Sequence, residues 1–250
     1  MLKITEVNPG SIGADLGLVP GDIILSINQQ PVRDILDYYF HLAGEELSVR
    51  IKTAEGELWD FEIEKEYEED LGLEFQIRAR QCVNECVFCF IDQQPPNLRS
   101  TLYIKDDDYR LSFLHGNYIT LTNLKPQDFQ RITGERISPL YISVHAADPE
   151  VRARMLGRPE PLDVIAAMKD LSNFGIHFHG QIVICPGYND GTVFTESLEK
   201  LAGLGDSLLS LAVVPVGLTK HRQNLTPLKP VDKATARRSL LKSTNIKIDF

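Results

Sequence analysis

The sequence predicts an α/β protein in two parts: a β-rich N-terminal region, then a longer region of alternating strands and helices that builds a partial (β/α) barrel or a doubly wound sheet. Three observations predict it. Residues 1–66 hold short β-branched runs separated by Gly- and Pro-bearing turns, with one amphipathic helix pattern among them. From about Arg78 onward, apolar runs of strand length are each followed by a stretch of helical spacing, as βαβ units around a parallel sheet require. The residues with chemical capacity fall at the ends of the predicted strands, where parallel sheets place their ligands.

In the first part, LKITEV and DIILSIN read as strands, and NPGS and VPGD as turns. Val32, Ile35, Leu36, Tyr39 and Phe40 share a helical spacing. LSVRIKT and LWDFEIEKE alternate as a strand pair about the hairpin turn AEGE. Residues 67–77, acidic and then apolar, are a linker or a last strand. In residues 78–250 the predicted strands are a first one ahead of Cys82, then GNYITLTNL, PLYISVH, HFHGQIVICPG and SLLSLAVVPVG. The helices between and after them are KPQDFQRITG, DPEVRARMLG, PLDVIAAMKDLSNFG, TVFTESLEKLAGLG and DKATARRSLLK. Asp148 is placed to cap one of these, with Pro149 at its first position.

The chain has 250 residues and a formal charge of −9. That balance argues against broad nucleic-acid or anionic-membrane binding, which needs clustered Lys and Arg. No run of about 18 apolar residues exists, so no membrane insertion is expected. The opening MLKITEVNPGS lacks the regions of a secretory signal, and a reducing, cytoplasmic setting is expected.

Of four cysteines, three fall within eight residues: Cys82, Cys86 and Cys89. A tight odd cluster in such a setting points to metal rather than a disulfide. Two metal readings are open. A zinc ion would need a fourth ligand, from Cys185 or a histidine. A [4Fe–4S] cluster usually takes four thiolates, and three would leave one iron open to an exogenous ligand.

The segment ITEVNPGSIGADLGLVPGDIILSINQQPV resembles a PDZ domain, with Gly21-Asp22 and Ile27-Asn28 at that family's GD and IN positions. The resemblance implies strand addition of a protein C-terminus or another partner; the stretch that would serve as carboxylate loop is DLGLEF. The spacing C-x3-C-x-Phe88-C resembles the radical SAM superfamily. That resemblance implies a [4Fe–4S] cluster on Cys82, Cys86 and Cys89, S-adenosylmethionine on the open iron, and Phe88 near its adenine. It also implies reductive cleavage to a 5′-deoxyadenosyl radical and an electron donor such as a ferredoxin or flavodoxin. Ser143 and His145 resemble the S-x-H of RNA-adenine-methylating members, where both contact the cofactor. Pro186-Gly187-Tyr188-Asn189-Asp190 resembles a recurrent turn whose Asn bonds the cofactor. Where many members carry Gly-Gly-Glu, this chain has ITLTNL, so Thr122 or Asn123 takes that place.

Cys185 reads either as a buried core thiol or as a catalytic partner on the substrate side. Asp106-Asp107-Asp108 is a cation site or, more simply, a solvated turn. Arg99, Arg110, Lys220, His221 and Arg222 read as an anion site or as exposed salt bridges, and His177 and His179 as a metal pair or, more simply, one polar strand face. As a whole the order of motifs resembles a family of radical SAM proteins with an N-terminal PDZ domain, described only as iron–sulfur oxidoreductases, which continue into a further domain. Against them this chain reads as ending early, its last barrel strand missing or reduced to NIKIDF. The alternative function is a non-catalytic PDZ-type interaction protein with an inert core.

Overall fold

The computed structural model describes residues 2–160 and 162–245, the last three as backbone. The chain divides into two compact units, residues 1–78 and 79–250. The first contains 17 acidic and 6 basic residues and the second 18 and 20, so the first unit carries the whole acidic balance of the chain.

In the first unit, β1 (Leu2–Val7), β2 (Ile23–Ile27), β3 (Gln30–Pro31), β4 (Glu46–Lys52), β5 (Leu58–Glu64) and β6 (Leu73–Phe75) form an antiparallel sheet in the order β5-β4-β2-β1-β6, with β3 beside β2. Two short helices accompany it, α1 (Ile12–Asp15) and α2 (Ile35–His41). Alternation sets the register. Leu47, Val49 and Ile51 of β4 are buried while Glu46, Arg50 and Lys52 face solvent, the period-2 pattern of a sheet with one covered face. Residues 67–77 contain β6, which pairs with β1. Asp34 caps α2 by accepting from the Leu36 N–H.

In the second unit, β7 (Leu140–Ser143), β8 (Phe178–Ile184) and β9 (Leu208–Pro215) make a parallel sheet in that order. The helices are α3 (Tyr109–His115), α4 (Pro126–Gly134), α5 (Pro149–Leu156), α6 (Val164–Ser172), α7 (Thr192–Ala202) and α8 (Lys233–Asn245). Asp148 caps α5 through the Val151 N–H, with Pro149 first in the helix. Ile142, Phe178, Ile182, Met168 and Leu201 are among the side chains that close the core. Among the described residues, no helix is long and apolar enough to cross a membrane.

Two predicted strands fail to form. GNYITLTNL contributes a single parallel bridge, Ile119 to Ile142. It stops there because Leu121 takes a positive φ of 64° and the Thr120 N–H donates to the Asp107 carboxylate instead of a neighbouring strand. Ahead of Cys82 there is again only a bridge, Gln81 to Asp106; the Arg80 N–H is taken by Asp108 Oδ2. The polar run expected as a solvated turn instead leads into α3, and Asp107 and Asp108 are buried. The expected strand NIKIDF falls almost wholly on 246–250, outside the described residues.

Candidate functional site

The cysteine loop, residues 82–89, is neither helix nor strand and is held from three sides. The Cys82 N–H donates to the Lys105 carbonyl at 2.9 Å. The Glu85 and Val87 N–H groups donate to the Leu156 and Met155 carbonyls at the end of α5, both at 2.9 Å. There the helix turns out through Gly157 at φ 64°, where an added Cβ would stand 2.5 Å from the Glu85 carbonyl oxygen. Only glycine lets the loop lie on that helix end. On the third side Gln93, fully buried, donates from Nε2 to the Cys89 and Gly217 carbonyls at 3.1 and 3.2 Å and accepts from the Thr219 N–H at 3.1 Å.

The three thiols are free and half-buried. Burial pushes the Cys86 thiol well above its ordinary range; the nearby Cys82 and Cys89 push it further, and Lys105 opposes them. Burial raises Cys89 as well. The ionisation of Cys86 is thus opposed by burial and by its two neighbours, and a cationic centre would relieve this. Lys105 pairs with Asp92 at 2.9 Å above the loop. Among the described residues, no three His, Cys, Asp or Glu side chains gather as a ready site for a metal ion.

Beneath the loop lies a buried polar network. Asn84 Nδ2 donates to Thr120 Oγ1 at 3.0 Å and to Cys82 Sγ at 3.4 Å, while its Oδ1 accepts from Thr122 at 3.0 Å. Asp107 accepts from the Thr120 N–H and hydroxyl, both at 2.6 Å. Burial raises the Asp107 carboxyl, and the Thr120 bonds draw it back. Asp106 accepts from Asn117, and Asp108 from the Arg110 guanidinium at 2.6 Å. Each carboxylate of the acidic run thus has a protein partner. Asn123 joins this network, donating to the Asp107 carbonyl at 2.6 Å. Arg152 of α5, 1% exposed, donates to the Thr120, Ser143 and Val144 carbonyls at 2.7, 3.0 and 2.9 Å. Burial lowers its pKa to about 10, which leaves it charged near neutral pH.

At the carboxyl end of β7, His145 takes φ 63° and is buried. Burial, helped by Arg152, pushes its pKa down to about 3. The ring is therefore neutral near pH 7. Its Nδ1 accepts the Val183 N–H at 3.2 Å, which leaves the proton on Nε2. Phe88 stands against it, ring centroids 4.5 Å apart. Asn189 accepts the Cys185 N–H at 2.8 Å and donates to the His145 and Val183 carbonyls at 2.7 and 2.8 Å. With oxygen and both amide protons engaged by backbone, it builds the seat of His145. The Ser143 backbone bonds Ile119 and Arg152, and its hydroxyl is not drawn into those bonds. Cys185 is fully buried with Ala146, Val151, Met155 and Val216, and Phe88 packs against the same cluster. Burial pushes its thiol up to about 12. Arg222 donates from Nη2 to the Val87 and Thr226 carbonyls at 3.0 and 2.6 Å, while Nη1 is buried without a partner among the described residues.

The fold thus gathers Phe88, His145, Asn189 and Cys185 at the carboxyl ends of β7 and β8, and joins Asn123 to the acidic run that Thr120 links to Asn84 of the cysteine loop. Asn84, Gln93, Thr120 and Arg152 escape sequence reasoning. Asn84 carries a faint signal, its place between two cysteines; for the others nothing local marks burial.

In the first unit, the loop before β6 is already engaged. The Gly72 N–H donates to Asp70 Oδ1 at 2.6 Å, and the Leu71 and Gly72 carbonyls accept from Gly13 and Asn8. A peptide carboxylate arriving there would meet Asp70 in place of a free donor.

The chain belongs to the radical SAM-like domain family, whose profile matches residues 65–211, from before the cysteine loop into β9. A PDZ domain profile matches residues 3–53. Comparison with the curated proteins gave no match. Among solved structures, Streptococcus suis SuiB is similar at 14% identity and TM-score 0.41, over 51% of this chain and 28% of that one. SuiB bound to S-adenosylmethionine is similar at 15% identity and TM-score 0.37, over 51% and 27%. A radical SAM methyltransferase from Sphaerobacter thermophilus is similar at 15% identity and TM-score 0.43, over 95% and 79%. The chain spans little more than a quarter of the SuiB chains it matches.

Proposed function

We propose that the chain holds a [4Fe–4S] cluster on Cys82, Cys86 and Cys89 and cleaves S-adenosylmethionine reductively, delivering a 5′-deoxyadenosyl radical to a substrate at the carboxyl ends of β7–β9. The observation that carries this reading is the cysteine loop. Three half-buried thiols, of which Cys86 is held from ionising by burial and by the other two, sit on a backbone fixed at α5, Lys105 and Gln93. Such a donor set fits a cationic iron–sulfur core, because soft thiolates suit that metal chemistry and metal binding displaces their protons. When bound, the cluster supplies the electron that breaks a sulfonium carbon–sulfur bond.

The chain's own residues fit the sulfonium cofactor too. Phe88 and the neutral His145 offer a ring surface, with the His145 Nε2 proton as donor. Arg222 Nη1, buried without a partner beside Val87, offers a charged donor to a carboxylate. Asn189 acts through His145, whose backbone it holds. The electron donor in this reading is a small redox protein of ferredoxin or flavodoxin type.

Anaerobic reconstitution followed by iron, sulfide and 5′-deoxyadenosine assays tests the proposal. The expected result is matched iron and sulfide, lost together when the three cysteines become alanine, and 5′-deoxyadenosine formed under strong reductant. Zinc without iron or sulfide would overturn it, as would a loaded cluster that yields no 5′-deoxyadenosine.

A further inference from the structure

We infer that Asn84 is a positioning residue that raises the reduction potential of the centre held by the cysteine loop, through an N–H···S hydrogen bond to Cys82. The inference rests on the cluster reading above and deepens it. Asn84 is 2% exposed, and its amide is oriented by partners outside the loop. Thr120 Oγ1 gives its one proton to Asp107 and can only accept from Asn84, so Nδ2 faces Thr120 Oγ1 and Cys82 Sγ while Oδ1 faces the Thr122 hydroxyl. A flipped amide would aim its oxygen at Thr120 Oγ1, which already serves Asp107 with its one proton, and at the sulfur. Thr120 is itself fixed, its N–H on Asp107 and its carbonyl on Arg152. The Asn84 carbonyl accepts from Lys105 Nζ at 3.3 Å, which holds the backbone side of the same residue.

A hydrogen bond donated to a ligand sulfur draws electron density from the thiolate and so stabilises the reduced, more negative form of the centre. The donor here is neutral and buried, so its effect is not dispersed by water. The rigid Thr120–Thr122 frame keeps the amide proton aimed at sulfur rather than at solvent. Asn84 therefore makes the first reduction easier without touching the open iron.

The test is a potentiometric titration, followed by electron paramagnetic resonance, of the anaerobically reconstituted full chain. Asn84→Ala removes the donor, and Asn84→Asp keeps the shape while replacing the donor with an acceptor. Both are expected to move the midpoint to more negative values. For Asn84→Ala the shift is on the order of a tenfold fall in the reduced fraction at fixed poise, about 59 mV for a one-electron couple. Asn84→Asp should move it further, at iron and sulfide contents equal to the wild type. A wild-type midpoint in either loaded variant overturns the inference while leaving the cluster reading intact. Loss of iron and sulfide from both variants, with their circular dichroism unchanged, also overturns it, because the amide would then build the loop rather than tune it. A wild-type chain that takes up no iron and sulfide sinks the cluster reading, and this inference with it.

Discussion

The two units bury polar groups for different ends. In the first, buried polar side chains mostly serve their own turn: Asp37 receives Arg33, and Lys65 donates to the Glu66 and Tyr67 carbonyls. Asp22 does the same for Val19 and adds one longer tie to Ala54. In the second unit, buried polar side chains join distant parts of the chain. Asn84 reaches Thr120 and Thr122, Arg152 reaches Thr120, Asn189 reaches His145, and Gln93 reaches Gly217. Burying such groups is costly unless every one is bonded, and a satisfied network fixes a single geometry. The difference teaches where the chain needs geometry: a turn can be fixed by its neighbours, but a loop that presents three thiols must be fixed by the whole fold.

The comparison can be broken most directly at Arg152. Arg152→Met strips the Thr120 and Ser143 carbonyls of its guanidinium donor, leaves Val144 with the Ala146 N–H alone, and leaves Asp107 without its nearby cation, at a cost of about 3–5 kcal/mol. The single tryptophan, Trp59, lies in β5 and reports on the first unit. Chemical denaturation should therefore show the far-UV circular dichroism transition weakened and the Trp59 fluorescence transition unmoved. A Trp59 transition that shifts equally would mean the units unfold as one.

Next in size is Gly157→Ala. The residue has φ 64° and no room for Cβ against Glu85, so the change should cost about 2–4 kcal/mol. The expected readout is a lower denaturation midpoint together with reduced iron uptake, since the cysteine loop is pushed off α5. Unchanged uptake would show that the loop does not depend on that helix end.

A third test uses pH. The folded-state pKa of His145 is depressed to about 3, against an unfolded value near 6.5. Below 6.5 the unfolded chain binds a proton that the folded chain refuses, so this contribution is complete above pH 6.5 and is lost as pH falls toward 3. Between pH 7 and pH 5 the loss is roughly 2 kcal/mol. His145→Gln should flatten that part of the stability profile; an unchanged slope would place the titration elsewhere.

The smallest expected effect lies in the first unit. Asp70→Ala frees the Gly72 N–H and removes a negative charge from the loop before β6. Affinity for peptides with a free C-terminal carboxylate should rise about fivefold, on the order of 1 kcal/mol, and amidated peptides should not respond. Calorimetric titration would decide it; equal affinity in both chains would show that Asp70 does not guard the loop.

What was legible in the sequence was local. The alternation of β4, the cap at Asp148 and the cysteine spacing are written in neighbouring residues, and the folded chain keeps them. What escaped depends on residues far away in sequence. Asp107 looks like part of a solvated acidic turn until Thr120, thirteen residues on, claims both its oxygens. GNYITLTNL has the composition of a strand, but Leu121 turns to positive φ and ends the pairing after Ile119. Arg152 and Arg154 stand two apart in one helix; one is buried and the other exposed, and only the packing of α5 separates them. Asn189 reads in the sequence as part of a turn, and only the fold shows its amide bonded to the Cys185 N–H and to the His145 and Val183 carbonyls.

Gln93 has a last consequence, for the order in which the chain matures. Its amide ties the end of the cysteine loop to Gly217 and Thr219, residues 124 and 126 positions later. Contacts of that sequence separation form late, because the intervening chain must first be made and folded. On the ribosome the cysteines emerge long before their anchor does. The loop can reach its finished geometry only after β9 has joined the sheet, so under the cluster reading proposed above metal loading would be a terminal event of biogenesis, timed by one glutamine.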